Sequence, residues 1–162
     1  MPVQEFFHNF TYPDFNSSGN DVMLKDNFYF VTEKHVSEDD LTEEGIRRYR
    51  ILWTLKLNPG HAVYVGHFPG NPVVPGVCQV QLIKELVSDF FSGDLILEKS
   101  DNIKFMGMID PAIVQLLTVD VDIWQKDNTR FEVSANILSG DKIFMKFKGR
   151  FRQDSENHKM TK

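Results

Sequence analysis

Residues 66–76 read Gly-His-Phe-Pro-Gly-Asn-Pro-Val-Val-Pro-Gly, and a strongly apolar segment, residues 77–91, follows without a break. The eleven residues hold three prolines, three glycines and one histidine, His67. Each proline fixes φ and removes an N–H donor, and the glycines permit tight bends or a close approach of the backbone. The pattern predicts a rigid, folded-back loop that holds His67 at the start of the helix that follows.

The helix predicted for Val77–Phe91 is apolar on nearly every side. Its polar residues Gln81, Glu85 and Ser88 fall at i, i+4 and i+7, and so they share one stripe. A helix that is apolar nearly all round is buried rather than laid on a surface. We expect the helix to end at Gly93-Asp94.

Most of the remaining chain is predicted to form strands, because apolar and polar residues alternate with a period of two. The strands are placed at residues 28–32, 49–57, 95–105, 117–123, 131–137 and 143–151. Asp127-Asn128 and Ser139-Gly140-Asp141 are typical of hairpin turns. The acidic stretch Ser37–Glu44 is expected to be a loop or a short turn of helix. One buried helix wrapped by a long antiparallel sheet is an α+β arrangement.

The length of 162 residues favours one domain with an added arm. Residues 1–22 carry five aromatic side chains and a turn-rich end, and they are interpreted as an N-terminal arm. Residues 23–152 contain the predicted strands and the helix and form the domain. Residues 153–162 are polar and charged and are interpreted as a flexible tail.

Composition excludes several classes of function. The net charge of −5 and the pI near 5.5 argue against a nucleic-acid or anionic-membrane partner. The chain has neither an apolar stretch of membrane-spanning length nor a signal-peptide pattern at its N-terminus. The single cysteine, Cys78, is expected to be a buried apolar side chain, and its use favours a reducing cytoplasm. Apart from the weak pair His61 and His67, the histidines show no metal-ligand spacing, and no phosphate-binding loop is present, so we expect no metal and no nucleotide cofactor.

Three pieces of the loop, Gly66-His67-Phe68-Pro69-Gly70, Pro72-Val73 and Pro75-Gly76-Val77, resemble the motif of the hotdog-fold 3-hydroxyacyl-[acyl-carrier-protein] dehydratases of the FabZ and FabA type. Lys104-Phe105 and Asp110-Pro111 resemble the strand after the family's helix and the turn beyond it. The resemblance spans roughly residues 24–152. It implies a curved antiparallel sheet around a central helix, and two protomers joined edge to edge into one sheet.

The resemblance also implies a reaction and a site. The reaction is the reversible loss of water from a (3R)-hydroxyacyl thioester to give the trans-2-enoyl thioester, at a tunnel on the dimer interface. The family's histidine falls on His67 and its backbone donor on Gly76. The family's acid, a Glu or an Asp, falls on the position that Gln81 occupies here. The substrate is expected to bind against a further set of residues: Phe68, Pro75, Val77 and Glu85.

The departure at Gln81 matters because the leaving hydroxide must be protonated. A histidine changes protonation near neutral pH and can remove the proton next to the thioester carbonyl. The N–H of Gly76 at a helix start can stabilise the enolate oxygen. An amide cannot give up a proton and only holds a hydroxyl or a water by hydrogen bonds. His67 could therefore pass its proton to the hydroxyl, Glu85 could act through a water, or the protein does not dehydrate at all.

Three functions consequently stay open. The first is a dehydratase, a lyase of fatty-acid or related lipid or polyene synthesis, that takes an acyl-carrier-protein or CoA thioester. The second is a non-catalytic acyl-thioester binder or partner subunit, and the third is a hotdog thioesterase in which Gln81 places a water. A homodimer, or a higher oligomer built from it, is expected in each case. Lys146, Lys148 and Arg150 form either a solvated strand face or a basic patch that docks an acidic carrier.

Overall fold

The structure is a computed structural model that describes residues 23–154, apart from the side chains of residues 38 and 39. The predicted arm, residues 1–22, and most of the predicted tail lie outside the described residues. The described chain forms six strands and two helices. The strands are β1 (Tyr29–Leu41), β2 (Arg47–Leu57), β3 (Leu95–Phe105), β4 (Leu116–Gln125), β5 (Arg130–Ser139) and β6 (Lys142–Gln153). The helices are α1 (Val63–Gly66) and α2 (Gly76–Phe91).

All six strands form one antiparallel sheet in the order β1-β2-β4-β5-β6-β3. The hairpins β4-β5 and β5-β6 are joined at the two turns that the sequence predicts. Strands β1 and β3 lie at the two edges, and each contains two register shifts. In β3 these lie between Leu97 and Lys99 and between Ser100 and Asn102. The pairing of β5 with β6 contains one further register shift, between Ile137 and Leu138.

Helix α2 lies against the apolar face of this sheet. Residues of β4 and β5 alternate between buried and half-buried, as a strand with one covered face does. The core joins this face to the apolar side chains of the helix. Its fully buried members include Ile51, Leu55, Val119, Val121, Ile123, Ile137, Leu82, Ile83 and Val87. This is the predicted α+β arrangement of one long helix and one antiparallel sheet.

The end of helix α2 differs in detail from the prediction. The helix ends at Phe91, and Ser92 takes the left-handed conformation, with φ of 52°. The N–H of Gly93 donates to the carbonyl of Ser88 at 3.1 Å, which closes the last turn. The Ser88 hydroxyl accepts the N–H of Leu95, and so it ties the helix end to the start of β3.

The expectation of a loop or helical turn at Ser37–Glu44 is wrong for most of its length. Strand β1 continues to Leu41 and pairs with β2, with Asp40 opposite Arg48 and Leu41 opposite Arg47. The described side chains of this part are exposed, so no buried face imposes an alternating pattern on the sequence. Backbone pairing with β2 is therefore what extends the strand through this stretch.

A buried carboxylate fastens the chain that enters β1 to helix α2. Glu85 Oε1 accepts the backbone N–H groups of Leu24 at 2.7 Å and of Lys25 at 3.0 Å. Nearby, the Lys25 ammonium pairs with Asp89, one turn further along the helix. Burial raises the pKa of Glu85 above its ordinary value of 4.5, although the two N–H donors act in the opposite direction.

Among residues 23–154, no helix is long and apolar enough to cross a membrane.

The core contact of the helix is tested at Leu82, which is fully buried. Replacing Leu82 by Ala removes apolar contacts and leaves a cavity, so we expect the free energy of unfolding to fall by about 2–5 kcal/mol. Urea unfolding followed by circular dichroism measures the change. Leu41→Ala is the control, because Leu41 is 65% exposed and its loss should cost within about 0.5 kcal/mol. Equal losses in the two variants would contradict the assignment of the core.

The raised pKa of Glu85 gives stability a specific dependence on pH. Because protonation is favoured in the folded state, its stabilising contribution is complete below pH 4.5 and is lost as pH rises through the folded pKa. Glu85→Gln keeps a carbonyl acceptor for the Leu24 and Lys25 amides but cannot ionise. We therefore expect the variant to gain stability relative to wild type as pH rises from 4.5 towards 8, in urea unfolding at a series of pH values.

Glu85→Leu is the matched comparison, because it removes the acceptor as well as the charge. It should cost about 1–3 kcal/mol, since one buried and one half-buried N–H group lose their partner. Parallel pH curves for wild type and Glu85→Gln would show that this carboxyl group is not the source of the effect.

Candidate active site

The approach to the active-site loop is built on helix α1, which the sequence analysis did not predict. His61 Nδ1 accepts the N–H of Val63 at 3.1 Å and so begins this turn of helix. Phe28 packs on the same turn, with its ring 5.2 Å from that of His61 and 5.8 Å from that of Tyr64. Burial lowers the pKa of His61, which keeps the ring neutral and able to accept. These contacts fix helix α1, which leads into the loop, to the core.

The loop itself is closed by backbone hydrogen bonds. The N–H of Val73 donates to the carbonyl of His67 at 3.0 Å. Phe68 and Asn71 exchange two bonds, of 3.1 and 2.9 Å, across a tight turn in which Gly70 has φ of +74°. A side chain at that φ would be strained, so glycine is needed at residue 70. The rigid, folded-back loop predicted from the prolines and glycines is present.

His67 is held by this loop in a defined orientation. The ring is 7% exposed, and it stacks on Phe68 with centroids 4.3 Å apart. Its Nδ1 lies 3.2 Å from the carbonyl oxygen of Val73. A carbonyl oxygen can only accept, so Nδ1 carries the proton of the neutral ring and Nε2 carries the lone pair. The loop thus selects the tautomer in which Nε2 is the basic atom.

The start of helix α2 is fixed through the peptide groups of Val74. Its N–H donates to the carbonyl of Ile109 at 2.9 Å, and its carbonyl accepts Gln79 Nε2 at 3.3 Å. Gln79 is 3% exposed, and its Oε1 is buried without a hydrogen-bond partner among the described residues. Gln79 is not among the site residues predicted from the sequence. The feature of the sequence that could have identified it is a polar residue outside the polar stripe, on a part of the helix that must be buried.

Gly76 is the first residue of helix α2 and lies against the aromatic ring of Phe105. The first N–H groups of a helix have no acceptor within the helix, and they lie at the positive end of its dipole. His67 and Gly76, two of the predicted catalytic residues, therefore belong to one unit of loop and helix start. The hydrogen bonds of Val73 and Val74 hold the two ends of this unit together.

The other predicted residues are arranged around this unit. Gln81 lies half-buried about a turn and a half beyond Gly76 on the same helix. The predicted substrate-binding residues range from half-exposed to buried: Phe68 is 50% exposed, Val77 half-buried and Pro75 buried. Glu85 binds the amides that lead into β1, and a role of Glu85 in substrate binding stays a prediction. Within residues 23–154, His, Cys, Asp and Glu form no group of three that could hold a metal.

The central part of the chain matches a known family. Residues 43–145 match the ApeI-like family, described as ApeI dehydratase. The 3-hydroxyacyl-[acyl-carrier-protein] dehydratase FabZ of Oenococcus oeni is 32% identical over 110 residues, which are 64% of this chain and 78% of that protein.

Two further FabZ relatives are matched over a smaller share. The enzyme of Ehrlichia chaffeensis is 30% identical over 79 residues, 46% of this chain. That of Novosphingobium aromaticivorans is 28% identical over 89 residues, 49% of this chain. The match spans 55% of the length of each of these two relatives.

Solved structures share the fold. The dehydratase heterocomplex ApeI:P of Xenorhabdus doucetiae matches with a TM-score of 0.54 and 15% identity, over 76% of this chain and 96% of that chain. A protein named as a candidate thioesterase, yhdA of Lactococcus lactis, matches with a TM-score of 0.54 and 11% identity, over 76% of this chain and 91% of that chain. The α+β hotdog fold predicted from the sequence is thereby confirmed. With the family match covering most of the domain, the chain belongs to the ApeI-like family of hotdog-fold dehydratases.

Proposed function

We propose that the protein is a hydro-lyase that interconverts (3R)-hydroxyacyl thioesters and trans-2-enoyl thioesters in fatty-acid or related lipid synthesis. One observation carries the proposal. The Val73 carbonyl fixes the proton of His67 on Nδ1, in the loop that leads directly into Gly76 at the start of a buried helix. A base and an oxyanion donor held in one rigid unit are what removal of a proton next to a thioester carbonyl requires.

In the proposed reaction, His67 Nε2 takes the proton from the carbon between the carbonyl and the hydroxyl-bearing carbon. The electron pair of that C–H bond moves towards the thioester carbonyl, whose oxygen becomes an enolate stabilised by the Gly76 N–H. The ring is then an imidazolium with protons on both nitrogens. Its Nδ1–H stays with Val73, so the proton on Nε2 is the one that can be passed on.

The absence of a carboxylic acid at residue 81 determines the second half of the reaction. As the enolate collapses to the enoyl thioester, the C–O bond breaks and the hydroxyl leaves with the proton from His67 Nε2 as water. Gln81 holds this hydroxyl by hydrogen bonds and donates no proton itself. One histidine then serves as base and acid in turn, and the ring ends neutral, as it began.

Positive charge on the outer face of the sheet, at the end of β3 that leads to Phe105, supports an acyl-carrier-protein thioester as the substrate. Lys104 and Lys146 lie opposite each other on β3 and β6, and Lys148 lies opposite Asn102 two pairs further on. These three lysines are exposed on the face opposite to that of Phe105, the next residue along β3, whose ring contacts Gly76. Acyl carrier proteins are acidic, so a cluster of positive charge at this end of the sheet favours their approach. A CoA thioester would present its phosphates to the same charges.

We propose a homodimer joined along β3, which is an edge strand with one side unpaired among residues 23–154. The structure of the ApeI:P dehydratase of Xenorhabdus doucetiae is a heterocomplex, and this supports a different hotdog subunit as the alternative partner. The single cysteine supports a cytoplasmic location.

A hydration assay tests the reaction. The pure protein is mixed with a trans-2-enoyl thioester, and loss of the enoyl absorbance is followed. We expect turnover by wild type and a fall in kcat/KM of about 10²–10⁴-fold for His67→Ala, since the general base is lost. His35→Ala is the matched control, because His35 is exposed on β1, and its activity should equal that of wild type.

Gln81→Glu separates the proposed reaction from its two alternatives. We expect this variant to be at least as active as wild type, because a carboxylic acid can share the second proton transfer. An inactive wild type with an active Gln81→Glu variant would indicate a non-catalytic thioester binder. Release of free thiol from acyl-CoA, without hydration, would indicate a thioesterase in which Gln81 places the water. If neither protein turns over a thioester, the proposed reaction is refuted.

The carrier is tested by charge reversal. Lys104→Glu combined with Lys146→Glu should raise KM for a carrier-protein thioester by about tenfold or more, with kcat little changed. A short N-acetylcysteamine thioester has no acidic partner, so its KM should stay the same. Lys126→Glu, on the β4-β5 turn, is the control for a general effect of charge. Equal effects on both substrates would argue against docking by these lysines.

A further inference from the structure

The ring of Phe105 approaches Gly76 so closely that a larger residue there would have to displace the tip of the ring. A Cβ atom built on Gly76 would lie 2.6 Å from Phe105 Cζ and 3.1 and 3.2 Å from the two Cε atoms. The three nearest atoms thus all belong to one ring, and the tip of that ring faces the backbone of the first residue of α2. Phe105 is the last residue of β3, 29 positions further along the chain.

Space rather than backbone conformation disfavours a side chain at residue 76. The described glycines with positive φ are Gly45, Gly70 and Gly140, so Gly76 has a backbone that any residue can adopt. An alanine would even be favoured over glycine in a helix, because glycine loses more conformational freedom on folding. The contact with Phe105 is therefore the reason that a side chain is excluded.

Strand register directs the ring to this place. Phe105 lies opposite Met145 of β6, which is fully buried, and directly opposed residues share one face of a sheet. The core face of β3 thus carries Phe105 to the helix start. Yet the residue remains 43% exposed, and the strand that carries it lies at the edge of the sheet formed by the described residues. The tip of this large aromatic ring thus contacts the helix start, and one side of the ring is exposed.

We propose that Phe105 is a positioning residue that fixes the position of the thioester carbonyl at the Gly76 N–H. The inference rests on the proposed function, in which this N–H binds the enolate oxygen. The N–H is one bond, about 1.46 Å, from the Cα that the ring contacts. The ring therefore forms a wall beside the donor, and the thioester lies between the open flank of the ring and the helix start. If the ring is removed, the thioester carbonyl can shift and water can reach the Gly76 N–H.

Stability measurements test the contact without any substrate. Gly76→Ala should lower the melting temperature by roughly 3–10 °C, because the methyl group overlaps the ring. In a Phe105→Ala background the same substitution should leave the melting temperature unchanged or raise it, since the helix preference for alanine is then unopposed. Loss or reversal of the decrease in melting temperature in the Phe105→Ala background supports the contact. An equal loss in both backgrounds would overturn it.

Kinetics test the positioning role. In the hydration assay, Phe105→Ala should lower kcat by about 10- to 100-fold with a much smaller change in KM, as expected for a misplaced reacting group. Phe105→Tyr keeps the ring and should retain most of the wild-type kcat. Met106→Ala removes the exposed neighbour of Phe105 and should have the kinetics of wild type.

The possible failures can be told apart. An active wild type with an unchanged kcat in Phe105→Ala, or a change in KM alone, would overturn the positioning role and leave the proposed reaction standing. A wild type without turnover on any thioester would refute the proposed reaction, and the positioning role with it. The melting temperatures would still report whether the ring meets Gly76.

Discussion

The need to cover an apolar helix on almost every side governs this molecule. A single sheet face can bury only one side of α2, so the sheet has to curve around it, and the loop before the helix has to close one end. Prolines and glycines make that loop short and rigid. The side chain placed at the loop, His67, is consequently held with little freedom. The same packing that stabilises the fold therefore also organises the histidine and the first amide of the helix.

Periodicity in the sequence was sufficient to locate the central strands and the helix. Residues of β4 and β5 alternate because one face is buried, and the prediction of residues 95–105 for β3 has the observed bounds. The same reasoning failed for Ser37–Leu41, where an exposed edge strand shows no alternation. It also missed α1, which is too short to have a period, and which depends on the contact of Phe28 with His61.

The candidate site was predictable to the extent that it depends on local sequence. The position of His67 and of Gly76 follows from the proline- and glycine-rich loop. The tautomer of His67 does not, because it depends on a carbonyl oxygen six residues away that only the folded loop brings close. Gln79 and Phe105 act through contacts across the fold, with Val74 and Gly76 respectively. Neither contact leaves a periodic pattern in the chain.

Strand β3 is exposed along most of its length, yet its two register shifts restrict it in a way that side-chain burial does not. Each shift adds a residue that has no partner on β6, and together they set the face on which the strand ends. Deleting Glu98 or Asp101, which have no partner on β6, would leave Phe105 opposite Met145, whereas deleting a paired residue would exchange the two faces at that end. Lysine would then stand where the aromatic ring meets the helix. The number of paired residues in this strand is thus constrained more tightly than the identity of most of them.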